Sequence, residues 1–171
     1  MLNLLFPRQH VASVQQINLA ELEKRGIKAL LFDLDNTIVP RDQDHLPPEI
    51  INFFDRLARR GFKTCLVSNN YPERVGALAG QLGISTVHRA IKPRKKPFLK
   101  AMRLLGVTPE QTAVVGDQIF TDILGGNRLG LYTILVTPLP GKEYWATQLI
   151  SRRLEKIVLA LYRRRLASGR R

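Results

Sequence analysis

The run Phe32-Asp33-Leu34-Asp35-Asn36-Thr37 places two carboxylates two residues apart, directly behind a short apolar stretch. At the end of a strand, such a pair presents hard oxygen ligands of the kind Mg²⁺ prefers and leaves positions for water and phosphate. The chemistry open to it is phosphoryl transfer. A carboxylate attacking an anionic phosphate monoester needs charge neutralised between the two, which Mg²⁺ and a lysine supply. Attack by Asp33 gives an aspartyl-phosphate and divides one displacement into two steps. Asp35 is then placed to protonate the leaving oxygen and later to activate water.

Three further stretches carry residues of matching chemistry. In the run Ser68-Asn69-Asn70, Ser68 and Asn69 offer a hydroxyl and an amide as short donors to phosphate oxygens, and Lys92 offers a point charge. Asp117 completes a metal shell with Asp33, with Asp122 beside it or one water away. Each of these residue types is also common in turns and helix caps, so none is informative alone. Their meaning depends on the elements that hold them.

Lys28 to Phe32, Phe62 to Val67, Thr86 to Ala90, Thr112 to Val115 and Leu131 to Val136 read as five strands. Pro47 to Arg60, Pro72 to Leu82, Pro97 to Leu105 and Phe120 to Leu129 read as helices, several opened by proline and closed near Gly61, Gly83, Gly106 or Gly130. Repeated βα units of this length predict an α/β fold with a parallel sheet covered on both faces. Ligands in such folds bind at the carboxyl ends of the strands. Asp33 and Asp35 follow the first strand, Ser68 to Asn70 the second, Lys92 the third, and Asp117 then Asp122 the fourth, so they converge on one edge. The 171 residues suit a single domain, with residues 1–27 as an N-terminal extension and residues 147–171 as a basic amphipathic helix.

With its motifs in this order, the stretch from 28 to 136 resembles the haloacid dehalogenase superfamily of phosphatases. Asp33-Leu34-Asp35-Asn36-Thr37 matches the DxDxT first motif, Ser68 the second, Lys92 the third, and Gly116-Asp117-Gln118-Ile119-Phe120-Thr121-Asp122 the fourth. The resemblance implies a three-layer, Rossmann-like fold. It implies Asp33 as nucleophile, Asp35 as general acid and base, and Ser68 and Lys92 as phosphate ligands, with Asn69 beside them. Mg²⁺ is then held by the side chains of Asp33 and Asp117 and the backbone carbonyl of Asp35. Aspartate at position 35, where the superfamily's ATPases carry threonine, implies a phosphatase. Lys95 and Lys96 follow Lys92 closely, and Lys96 is an alternative phosphate-binding lysine, although Lys92-Pro93 fits the family better.

Cap domains, the superfamily's main specificity device, enter either just after the first motif or between the third strand and the lysine. Here only Ile38 to Leu46 separates the motif from the next helix, an ordinary loop, and the third strand runs directly into Lys92. An uncapped site is open, and suits a phosphate displayed on a macromolecule, a membrane or a partner protein. The wider pattern is similar to the YqeG family of capless class III phosphatases: Phe6-Pro7, His10-Val11, Ser13-Val14, Gly26-Ile27-Lys28-Ala29-Leu30, Val67-Ser68-Asn69-Asn70 and Gly125-Gly126-Asn127-Arg128. Its eukaryotic and chloroplast relatives include phosphatidylglycerophosphate phosphatases. That likeness implies an anionic, membrane-bound phospholipid substrate and a place in phosphatidylglycerol synthesis.

The net charge of +13 is patchy. Lys92, Arg94, Lys95, Lys96, Lys100 and Arg103 occur with no acid among them, and from residue 148 onward Glu155 is the sole acid among many arginines and lysines. Outside these segments acids and bases balance, so the whole excess points to an anionic partner. A membrane surface fits. Nucleic acid is another polyanion, and a nucleotide, a nucleic-acid end or a phosphoprotein another substrate class, but no aromatic stacking platform for single strands is evident. A non-enzymatic RNA-binding or membrane-adaptor protein is a third possibility, against which the paired acids Asp33 and Asp35 argue.

No apolar run reaches the ~20 residues needed to span a bilayer. No secretory signal is evident at the start, which makes the expected location cytoplasmic, peripheral at the inner face of a membrane. Cys65 is the single cysteine, so no intramolecular disulfide can form, and its apolar neighbours predict a buried strand position. Leu149, Ile150, Leu154, Ile157, Val158, Leu161 and Tyr162 recur at helical spacing with cations between them, a face that packs on the sheet, lies on a membrane, or does both. Leu2, Leu4, Leu5, Phe6, Tyr144 and Trp145 are open to the same two uses.

Overall fold

The run Ala29-Leu30-Leu31-Phe32 is apolar at every position, the pattern of a strand covered on both faces. In the computed structural model, which describes residues 2–140 and 152–168, it forms the fully buried strand β2 (Ala29–Phe32). The strands β3 (Lys63–Val67) and β5 (Thr112–Gly116) flank it in parallel, with Phe32 opposite Leu66 on one side and Val115 on the other. Outside them lie β4 (Ser85–Val87) beside β3 and β6 (Tyr132–Val136) beside β5.

The sheet has six strands rather than the five expected. Within the N-terminal extension, β1 (Gln9–Val11) pairs in parallel with β6, and the spatial order is β1-β6-β5-β2-β3-β4. A three-residue edge strand is too short to show an alternating pattern. The same extension supplies α1 (Leu19–Lys24), capped by the Asn18 side chain accepting from the Glu21 amide and buried through Leu19 and Leu22.

Alternate residues of β2 face opposite layers. Leu30 and Phe32 meet α1, α2 (Pro48–Arg59) and α3 (Pro72–Leu82), which bury Ile50, Phe53, Phe54, Leu57, Val75 and Leu78 at helical spacing. Leu31 faces the other way, with Cys65 and Val114, against Phe98, Ala101 and Met102 of α4 (Lys95–Leu105). Proline opens α2 and α3 where a helix has no use for the amide.

Two expected elements are shorter in the structure. The third strand stops at Val87 rather than Ala90, because Arg89 and Ile91 adopt left-handed φ of 46° and 53° that leave the extended ladder. The fourth helix is a wide π-helical turn over Ile119–Ile123 that tightens into α5 (Leu124–Asn127). There Gly126 lets the backbone approach the sheet, since a Cβ would stand 2.4 Å from the Val114 side chain.

The C-terminal helix α6 (Arg152–Ser168) buries Glu155 and Val158, whereas Leu154, Ile157 and Leu161 are exposed. Val158 joins Leu5, Phe6, Ile119, Ile123 and Leu135 in a small cluster, and the Phe6 and Tyr162 rings lie 5.7 Å apart. Leu5 and Phe6 are therefore packing residues, while Leu2 and Leu4 stay exposed. Tyr144, Trp145, Leu149 and Ile150 lie outside the described residues. Among the described residues no helix is long and apolar enough to cross a membrane.

Candidate active site

From β2 the chain steps outward to β3 and β4, then returns to the other side of β2 as β5. That reversal opens a crevice at the carboxyl ends of β2 and β5. Asp33 stands at one lip, its amide still donating to the Val115 carbonyl at 2.9 Å. Asp117 follows Gly116 on the other lip. Ser68 leaves β3 with its amide donating to the Val87 carbonyl at 3.0 Å.

Asp33, Asp117 and Asp122 converge, each buried, with carboxylate oxygens that lie within 4.8 Å of one another. The Lys92 ammonium enters this cluster, 2.5 Å from Asp33 Oδ1 and 2.7 Å from Asp122 Oδ1. Thr37 Oγ1 bridges the lips, 3.3 Å from Asp33 Oδ2 and 3.4 Å from Asp117 Oδ1. Asp122 reaches back over Gly116, where a Cβ would sit 2.3 Å from its Cγ, so the glycine is a steric requirement of the cluster. Lys96, the alternative lysine, is exposed and lines a separate groove.

Burial pushes the Asp33 carboxyl up to about 8, with Lys92 opposing and Asp122 and Asp117 adding to the rise. For Lys92, burial disfavours the ammonium, but Asp122 and Asp33 outweigh it and hold its pKa above the ordinary value. The buried carboxylates outnumber the ammonium, so the cluster is short of positive charge. Asp33, Asp117 and Asp122 could hold a divalent cation that would supply what is missing, and an all-oxygen donor set suits Mg²⁺ over softer metals.

The Asp35 carboxylate turns away from this cluster. Its Oδ2 accepts from Asn70 Nδ2 at 3.0 Å and its Oδ1 from the Arg74 guanidinium at 3.2 Å. Arg74 also donates to the carbonyls of Pro40 at 3.4 Å and Gln43 at 2.7 Å and pairs with Asp44, which ties Asp35 to the loop that follows it. Asn69 Oδ1 accepts from the Lys92 amide at 2.9 Å, and Ser68 Oγ from the Asn70 amide at 3.1 Å. Asp33, Asp35, Ser68, Asn69 and Lys92 line one cleft of about 320 Å³, with the exposed Tyr71 at its edge.

Thr37, Asn70, Arg74 and Glu155 take parts here that the sequence does not assign them. Thr37 and Asn70 lie inside the motifs and carry a sequence signal, whereas Arg74 is one arginine among many. Glu155 arrives from α6, where its Oε1 accepts from the Ile119 amide at 2.8 Å, just past Asp117.

Residues 39–130 match the hydrolase family described as haloacid dehalogenase-like hydrolase. The chain is 36% identical over 159 residues to the probable phosphatase YqeG of Bacillus subtilis (strain 168), covering 93% of this chain and 92% of that protein. It is 28% identical over 174 residues to phosphatidylglycerophosphate phosphatase 1, chloroplastic/mitochondrial, of Arabidopsis thaliana, covering 96% of this chain but only 49% of the plant protein. Among solved structures, a HAD phosphatase from Thermococcus onnurineus shares the fold with a TM-score of 0.57 at 18% identity, over 70% of this chain and 90% of that one.

Proposed function

The chain belongs to the haloacid dehalogenase-like hydrolases and is a phosphatase, and on that premise we propose that it removes the terminal phosphate of phosphatidylglycerophosphate at a membrane surface. The observation that carries the chemistry is the placement of Lys92 between Asp33 and Asp122 at the floor of an open cleft. The substrate rests on the plant relative's name and on the distribution of positive charge.

In the proposed reaction an Asp33 oxygen attacks phosphorus as the bond to the glycerol oxygen breaks, and Asp35 gives that oxygen its proton. Water then attacks the phosphorus of the aspartyl-phosphate, its proton passing to Asp35, which releases inorganic phosphate and restores both acids. Ser68, Asn69 and Lys92 hold the non-bridging oxygens. Asn70 and Arg74 fix the direction of the Asp35 carboxylate. The side chains of Asp33 and Asp117 and the Asp35 backbone carbonyl, with Asp122 adjacent, would hold Mg²⁺, which would supply the positive charge needed between nucleophile and phosphate.

Exposed Leu154, Ile157 and Leu161, set among the cations Arg153, Lys156 and Arg164, support α6 as the part that meets an anionic lipid surface. The test is phosphate release with Mg²⁺ from phosphatidylglycerophosphate in mixed micelles, beside glycerol 3-phosphate and nucleoside monophosphates. Preference for the lipid, abolished in Asp33→Asn, is expected. Turnover of the soluble esters alone would overturn the lipid assignment, and full activity in Asp33→Asn would overturn the nucleophile.

A further inference from the structure

Lys92 enters the cleft from a segment whose other side carries cations that the cleft does not use. Residues 88–91 are pinned to the turn after β3, with the Arg89 amide donating to the Asn70 carbonyl and the Ala90 amide to the Ser68 carbonyl, both at 3.0 Å. Ile91 adopts its left-handed φ despite a β-branched side chain, a costly conformation, and is 58% exposed. Next to this segment, at the start of α4, lies a groove of about 260 Å³ lined by Arg89, Arg94, Lys96 and Lys100. No acid lines it, and none of these cations makes an ion pair among the described residues. The groove adjoins the cleft, for the Arg89 guanidinium stands 5.6 Å from the ring centroid of Tyr71 at the cleft edge.

Gathered like charges repel one another, and an anionic ligand relieves that repulsion. We propose that this groove is a second anion subsite, taking the unreactive phosphodiester of a substrate whose terminal monoester lies at Asp33. The inference rests on the lipid substrate proposed above, which carries both groups separated by one glycerol unit. Arg94 is two residues beyond Lys92, so at most about 7 Å separates their Cα atoms, which keeps the groove beside the cleft. The subsite then selects for molecules with two phosphate groups and against simple monoesters.

The experiment compares wild type with the Arg94→Ala/Lys96→Ala double variant on three substrates. These are para-nitrophenyl phosphate, the soluble deacylated headgroup glycerophosphoglycerol phosphate, and the intact lipid in uncharged micelles or anionic vesicles. Loss of a charge-assisted contact is expected to raise KM for the headgroup and for the micellar lipid by at least about tenfold. Para-nitrophenyl phosphate turnover should shift by less than about twofold, the pattern of lost uniform binding. The charge-preserving Arg94→Lys/Lys96→Arg variant should recover most of the effect. Unchanged headgroup kinetics, an equal loss on all three substrates, or a loss confined to anionic vesicles each overturns the subsite. Absence of wild-type turnover on both headgroup and lipid, with para-nitrophenyl phosphate still hydrolysed, instead overturns the substrate assignment beneath it.

Discussion

Glu155 of the C-terminal helix accepts a 2.8 Å hydrogen bond from the backbone amide of Ile119, two residues beyond Asp117. Glu155 as a residue is only 4% exposed, so this bond forms away from bulk water and fastens α6 to the turn that carries Asp117 and Asp122. Glu155→Ala leaves a buried N–H unsatisfied and should cost about 1–3 kcal/mol of stability. It should also lower kcat, because the Asp117 turn loses a support. Glu155→Gln keeps an acceptor and should retain most of both. Urea titration and steady-state kinetics on the two variants check this, and wild-type behaviour of the alanine variant would contradict it.

Arg74 is a positioning residue for Asp35. Arg74→Met removes the guanidinium that fixes one oxygen of that carboxylate and also frees the Pro40 to Asp44 loop. The expected result is a fall in kcat of at least about tenfold with little change in KM, since orientation is lost rather than affinity. Arg74→Lys should recover little of it, because an ammonium cannot reproduce the planar fork that reaches several acceptors. Equal rates in all forms would contradict the role.

Asp117→Asn separates electrostatics from folding. Without metal, the substitution removes one of several crowded buried carboxylates and should leave the protein as stable as wild type or more so, by about 1 kcal/mol. Adding Mg²⁺ should raise the Tm of wild type, through binding to the native state, and leave the variant nearly unmoved. Thermal scans with and without Mg²⁺ read both effects independently of activity. A variant that gains as much from Mg²⁺ as wild type would remove Asp117 from the metal site.

Burial pushes the Cys65 thiol up to about 12, with Lys100 only partly opposing. The native protein should therefore resist iodoacetamide at mildly alkaline pH and react once unfolded in urea. Linkage has a definite sign. Above the ordinary value of 9.0 the unfolded thiol loses its proton while the folded one keeps it, so this residue's contribution to stability falls as pH climbs toward about 12. Below 9.0 it contributes no slope. A Cys65→Ala variant should show a shallower loss of stability across that window.

Much of this site is legible because its residues sit where local patterns end. Asp33 follows an unbroken apolar run, and proline and glycine punctuate the helices on either side of Ser68 and Lys92. What escapes such patterns is long-range. The edge strand Gln9–Val11 owes its existence to β6, far along the chain. Arg74 looks like any surface arginine until the loop after Asp35 folds over it. In α6, periodicity groups Leu154, Ile157 and Leu161 with the apolar face. The helix instead turns Glu155 inward, because the Ile119 amide needs an acceptor and no spacing rule encodes that need.

The most direct test of the account is acid quench of a single turnover, followed by mass spectrometry of the peptide containing Asp33. With wild type, and more strongly with Asp35→Asn, in which water activation is impaired, a phosphorylated Asp33 should appear before inorganic phosphate accumulates. Release of phosphate with no phosphorylated Asp33 in either protein, and with activity surviving in Asp33→Asn, would contradict it.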